Sequence, residues 1–142
     1  MALKKIFVAY DGSDHSKRAL EMAKDIATLS PQISVDIVNV VPIPLLTGME
    51  TDNLTEIIEM MVEDGKTTLH EAQDIMEEVS DQIKTYLLKG TAPAVELLKM
   101  LDGSEYDMAI VGSRGLSGLR EFMGSVSYKI LHQSKIPVLV IE

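Results

Sequence analysis

The chain contains no cysteine. That excludes a disulfide framework, a thiol nucleophile and any thiolate metal site. It also lacks any run approaching the roughly 20 apolar residues that a membrane-spanning helix needs, so no membrane association is expected. Its opening "MALKKIFVAYDGS" enters a strand-like pattern at once. There is no long apolar region or cleavage site of a signal peptide, and a cytoplasmic location is expected. Cations are scarce: 13 Lys and Arg stand against 22 Asp and Glu, a formal net charge of −9. Nucleic acid is thereby an unsuitable partner, because each phosphate contact wants a cation. A small anionic ligand remains open to such a chain only if local dipoles and backbone donors hold it.

What is present is ordinary for a folded protein: 142 residues, 46% hydrophobic and 25% charged, long enough for one domain over residues 1–142 with a substantial core. "KIFVAYDGS" reads as a buried strand ending in a turn, and the apolar spacing from Asp14 to Leu29 reads as a helix capped by Ser13. "ISVDIVNVVP" (33–42) is a second strand, followed by a loop over 43–50. A long amphipathic helix is expected from Leu54 to Val79, with a bend conceivable at Gly65. "QIKTYLLKG" (82–90) is a third strand, Pro93 opens a helix that Asp102-Gly103 ends, and "YDMAIVGS" is a fourth strand. A helix over 125–133 and a last strand in "IPVLVIE" complete the chain. Strands alternating with helices argue for a single doubly wound α/β domain with a parallel sheet.

Against this background "IVGSRGLSGLREFMGSVSYKILH" (110–132) is unusual, with four glycines and four serines in one connection. Glycine lets another group approach the backbone, and a helix starting near Ser125 would aim its unpaired N–H groups and positive end at the tip of the fourth strand. Such an arrangement binds phosphate even in an acidic protein. Ser125 and Ser127 would add hydroxyls and Arg114 a cation. The spacing alone is satisfied equally by an ordinary strand-to-helix turn with a serine cap. It is neither the G-x-G-x-x-G fingerprint nor a Walker A loop. "DGKTT" (64–68) contains Gly-Lys-Thr but has Met60 where the earlier glycine belongs, and reads as a solvated helix face.

Asp11 is the second candidate. At the carboxyl end of the first strand it could accept from ribose hydroxyls or help hold a metal bound to phosphates, and it could equally be a turn aspartate in "DGS". If strand order reverses between the first and fourth strands, Asp11 and Gly112 border one crevice. The histidines have no metal-ligand spacing; His15 and His70 are expected on solvated helix faces, although His15 follows the Asp11 turn and could approach a bound nucleotide.

"FVAYDGSDHSKRAL" (7–20), "GTAPAVELL" (90–98) and "AIVGSRGLSGLREFMGSVSYKIL" with "PVLVIE" at the far end resemble, in order, the universal stress protein family over essentially the whole chain. The resemblance implies a Rossmann-like, five-stranded parallel sheet of order 3-2-1-4-5, of the adenine nucleotide alpha hydrolase-like type. It implies a stress-response module that binds ATP, or AMP or ADP in its place, together with Mg2+ or Mn2+. Little or no turnover is expected, at most a weak ATPase or autophosphorylating activity, because no nucleophile–base pair or carboxylate cluster accompanies the loop. The alternatives are a slow ATP hydrolase or phosphotransferase using Asp11 and a metal ion, and a dimeric scaffold of the same family that binds no nucleotide. Gly112, Arg114, Gly115, Gly124, Ser125, Val126 and Ser127 would surround ribose and phosphates. Asp11 would sit near the ribose and metal, Ala9 would line the pocket, and Val40 would read adenine through its backbone. A homodimer through the C-terminal strand, Pro137 to Glu142, is also implied. One departure stands out: eight residues separate Gly115 from Gly124 where the nucleotide-binding members have nine. The difference could shift the loop's donors by up to about 3.5 Å.

Overall fold

The computed structural model describes residues 2–44, 51–114 and 124–142. Its strands are β1 (Lys5–Ala9), β2 (Ser34–Pro42), β3 (Ile83–Gly90), β4 (Met108–Gly112) and β5 (Val138–Ile141), and its helices are α1 (Asp14–Ala27), α2 (Thr51–Ile75), α3 (Pro93–Asp102) and α4 (Ser125–Gln133). All strand pairs are parallel, in the order β3-β2-β1-β4-β5. This is the expected doubly wound α/β fold. Among the described residues no helix is long and apolar enough to cross a membrane.

Both faces of the sheet are covered, so the central strands carry nearly unbroken apolar sequence instead of alternating with polar residues. Ile6, Val8, Val35, Ile37 and Ile110 point to the side packed by α1 and α2. Phe7, Val38, Ala109 and Val111 point to the side packed by α3 and α4. Single-residue alternation therefore feeds two separate cores from one sheet.

Three features differ from the sequence reading. The long helix stops at Ile75, and a 3₁₀ segment, Glu77–Gln82, carries the chain into β3. Val79 stays buried there with non-helical φ/ψ of −120° and 30°. Apolar spacing of three residues suits either helix type, which is why the pattern runs on past the end of α2. Gln82 secures the join, its side-chain amide donating to the carbonyls of Ala27, Ser30 and Ile33 at 2.9, 3.0 and 2.8 Å. Second, Gly65 is neither a bend nor part of a solvated face. It is buried within an uninterrupted α2, and a Cβ there would lie 2.7 Å from Leu87, 3.0 Å from Asn39 and 3.1 Å from Val41. Lys66 and Thr67 are exposed, as expected. Third, α1 ends at Ala27, leaving Leu29 exposed.

Two carboxylates lock the layers together. The buried Tyr10 hydroxyl donates to Glu71 of α2 at 2.7 Å, and Lys17 of α1 lies 3.1 Å from the same oxygen. Asp107 accepts from the backbone N–H groups of Lys4 and Lys5, both at 2.9 Å, tying the start of β4 to β1. The Tyr10 and Lys17 hydrogen bonds hold the Glu71 carboxyl below its usual range, and the two backbone donors do the same for Asp107. A depressed folded-state pKa contributes stability that is present above the unfolded value, about 4, and is lost as pH falls through the folded one. Urea midpoints are therefore expected to drop on acidification from pH 7 to pH 3. In a Glu71→Gln, Asp107→Asn double variant the pH 7 midpoint is lower and the drop smaller. An undiminished drop would show that neither carboxylate supplies the acid sensitivity.

Candidate functional site

Because β1 pairs with β2 on one side and β4 on the other, the chain order reverses between β1 and β4. The helix after β1, α1, packs on one face of the sheet, while the helix after β4, α4, packs on the other. A crevice opens between two strands whose following helices diverge, and open α/β sheets hold their ligands there.

The β1 side is built by a tight turn. Tyr10 N–H donates to Val38 O at 2.9 Å, and the buried Asn39 side chain donates to Tyr10 O at 2.9 Å, which fixes the chain as it leaves the sheet. Asp11 Oδ1 then accepts from Ser13 N–H at 2.9 Å, and Gly12 takes φ of +84°, a conformation that favours glycine. Ser13 caps α1 by accepting from Ser16 N–H at 3.3 Å, while Ser16 Oγ donates to Ser13 O at 3.0 Å. Asp11 is thus a turn aspartate in its Oδ1 contact, and it is half-buried at the strand end where a ligand carboxylate would stand.

The β4 side meets this turn directly. A Cβ on Gly112 would lie 2.7 Å from His15 C, 2.8 Å from His15 Cβ and 2.8 Å from Ser16 N. The first turn of α1 rests on bare backbone, so Gly112 has a packing reason to be glycine. Asp11 and Gly112 come together through this seat, since Asp11 N–H also donates to Ser16 Oγ at 3.4 Å. His15 is half-buried here and not on a solvated face, whereas His70 is exposed. Desolvation first, then the charges of Arg18 and Arg114, lower the His15 pKa from its ordinary value.

Helix α4 is clamped to the same strand end. Gly124 N–H donates to Ser113 O at 2.7 Å, and the buried Ser127 hydroxyl donates to Gly112 O. Tyr128 N–H is paired with Gly124 O at 2.9 Å, while the amides of Ser125, Val126 and Ser127 precede it at the positive end of the helix. Ser125 is exposed and Val126 is half-buried against the α3/α4 core. Ala9 and Val40, at the ends of β1 and β2, are half-buried on that same face. The structure therefore brings Ala9, Asp11, Val40, Gly112, Arg114 and the start of α4 to one edge of the sheet. Gly115 and the shortened stretch beyond it fall on residues 115–123, outside the described residues. A shallow cavity of about 200 Å³ lies at the opposite, amino edge, lined by Lys5, Asp36, Asp81 and Lys84, below the 300–1,000 Å³ usual for ligand pockets.

A model of the universal stress protein family matches residues 2–142. The chain belongs to that family. It is 35% identical to universal stress protein YxiE of Bacillus subtilis, over 97% of this chain and 98% of that one. Its fold matches universal stress protein UspA from Lactobacillus plantarum with a TM-score of 0.87 at 20% identity, covering 100% of both chains. A universal stress protein solved in complex with cAMP matches with a TM-score of 0.73 at 26% identity, over 100% of this chain and 99% of that one. A universal stress protein from Archaeoglobus fulgidus in complex with dAMP matches with a TM-score of 0.69 at 22% identity, over 99% and 98%.

Sequence reasoning passed over two residues that shape this family member's crevice. Asn39 reads as one more strand residue, though a polar side chain in a β-branched run was a signal that it must bond something. Ser113 stood unremarked between Gly112 and Arg114. Its hydroxyl oxygen is buried and has no hydrogen-bond partner among the described residues.

If the α1 seat governs Gly112, substitution should act without any ligand. Gly112→Ala is expected to destabilise the ligand-free protein by about 1–3 kcal/mol, read by denaturant unfolding, since backbone atoms and not a flexible side chain must give way. Unchanged stability would mean that the first turn of α1 does not rest there.

Proposed function

We propose that this chain is a nucleotide-dependent regulatory module of the stress response, taking ATP, or ADP or AMP, into the crevice between β1 and β4 with little or no turnover. The observation that carries this reading is the convergence, at one strand end, of the Asp11 turn and the amino end of α4. Adenine fits the apolar shelf of Ala9 and Val40, with the Val40 backbone groups reading its edge, and Asp11 reaches the ribose. The phosphates turn toward Gly124, Ser125, Val126 and Ser127. A chain of net charge −9 can hold them because main-chain N–H groups and a helix end act over the first turn, where the overall field matters less. Arg114 supplies the local cation. The adenine nucleotides bound by the two solved relatives support the same ligand class.

A metal ion, Mg2+ or Mn2+, would have Asp11 as its protein ligand and take the rest of its shell from phosphate and water. Among the described residues no group of three or more His, Asp or Glu is placed to hold a metal by itself. Low turnover follows from the same carboxylate. Its Oδ1 holds the turn through Ser13 N–H, which suits it to positioning better than to proton abstraction. The reading places the protein in the cytoplasm, where ATP is abundant. It also makes the protein a homodimer through Pro137 to Glu142, because β5 ends the sheet and leaves an unpaired strand edge to cover. Light scattering should then return twice the 15.6 kDa chain mass.

Gly124→Val puts a branched side chain where α4 begins. ATP affinity by calorimetry is expected to fall at least about a hundredfold, with circular dichroism and particle mass unchanged. Mass spectrometry of nucleotide released from protein purified without added ligand should find ATP near one per chain. Equal affinity in the variant would remove the phosphate-cradle assignment.

A further inference from the structure

The amino half of α2 carries an apolar stripe that the sheet does not bury. Downstream, Leu69, Ala72 and Met76 are buried, and Gly65 packs against Asn39, Val41 and Leu87. The helix runs antiparallel to the strands, since Gln73 Nε2, farther along α2, lies 3.5 Å from the hydroxyl of Thr85, which precedes Leu87 in β3. β2 and β3 end together at the Pro42–Gly90 pair, one residue beyond Val41. Upstream of Gly65 the helix therefore passes the ends of these strands, and Leu54 stands about 16 Å farther along its axis at 1.5 Å per residue. The apolar period continues all the same. Leu54, Ile58 and Met61 prolong the line of Gly65, Leu69 and Ala72 in steps of three and four, and Ile57 and Met60 flank it. None of the six apolar residues from Leu54 to Val62 is buried, and Ile57 and Met60 are 36% and 68% exposed.

The charge on this stretch has one sign. Residues 51–65 hold five acids, Asp52, Glu56, Glu59, Glu63 and Asp64, and no Lys, Arg or His. Glu56, Glu59, Glu63 and Asp64 are exposed, and the first cation downstream, Lys66, lies 3.2 Å from Glu63. Methionine fits its flexible side chain to irregular apolar partners, and an acidic rim selects which partner approaches. We propose that this face of α2 is a docking surface for a basic amphipathic helix of a partner protein. Apolar residues of that helix, at i, i+3 or i+4, and i+7, lie along Ile57, Met60 and Met61, and its Lys or Arg side chains stand against Glu56, Glu59, Glu63 and Asp64. A second copy of this face would set acid against acid, and an anionic lipid surface would meet the same repulsion. The residues are separate from the β1–β4 crevice, so the proposal does not rest on the nucleotide reading.

The probe is a fluorescein-labelled helical peptide of leucine and lysine, apolar along one side, titrated with the intact chain and followed by fluorescence anisotropy. The wild type is expected to bind it, less tightly as salt rises, and not to bind the same peptide with glutamate in place of lysine. Ile57→Ser combined with Met60→Ser is expected to weaken binding at least about tenfold, with the urea midpoint and the particle mass unchanged. Glu56→Gln combined with Glu59→Gln is expected to weaken binding and flatten its salt dependence. Glu77→Gln combined with Glu78→Gln removes as much exposed charge beyond the far end of α2 and is expected to leave binding as it was. A wild type that does not bind the lysine peptide, or a serine variant that binds it equally well, would overturn the proposal. So would equal weakening by the two glutamine variants, which would make the attraction one of overall charge. A lower urea midpoint in the serine variant would show that the chain itself covers the face, and a lower particle mass that a second copy does; either result overturns the partner assignment.

Discussion

The close approach of α1 to the bare backbone of Gly112 is the constraint on which the crevice depends. At 2.7–2.8 Å from a Cβ position, the backbone of His15 and Ser16 leaves no room for a side chain. With that seat in place, the Asp11–Ser16 turn and the end of β4 become one surface. The clamps from Gly124 to Ser113 and from Ser127 to Gly112 then bring α4 to the same point from the opposite face. One strand end thus organises the first turns of two helices. These contacts set where the amino end of α4 points, and a helix dipole's effect falls off within a turn of the helix.

The architecture was legible because a parallel sheet covered on both faces writes itself as apolar runs bounded by turn residues. α4 begins and ends where the pattern places it, Ser13 caps α1, and Pro93 opens α3. The ends that misled were those where a pattern of three fits more than one structure. Val79 keeps its buried place while the backbone leaves the α-helix, so hydrophobic spacing continues across a change it cannot register. Gly65 shows the same limit from another side. Along the sequence it reads as a defect in α2, whereas its reason lies with Leu87, Asn39 and Val41 on two strands far along the chain.

The crevice was legible as a place and less so as a set of roles. Glycine between a strand and a helix signals that something approaches the backbone, and the composition of the loop cannot say whether that something is a ligand or another helix. For Gly112 it is a helix. The serines pose the same difficulty. Ser125, Ser127 and Ser113 are chemically identical in sequence, yet one is exposed, one donates a hydrogen bond to a backbone carbonyl, and one is buried with no partner among the described residues. Only the third dimension assigns which hydroxyl is committed, because the acceptors belong to elements that the local sequence does not contain.

The charge of the molecule makes these assignments consequential. With nine more acidic than basic groups by formal count, the surroundings oppose an anion at long range, and salt screening reduces that opposition to within about 10 Å. What remains must be local: the amides at the start of α4, the half-buried Arg114, and His15 held toward its neutral form by desolvation and the neighbouring arginines. On the proposed function, selectivity would come from geometry more than from charge, since a free carboxylate or sulfate would meet the same helix end but could not also fill the Ala9–Val40 shelf. Under that function, an acidic chain with such a site would bind few anions loosely and one kind well, the property a nucleotide-responsive module requires.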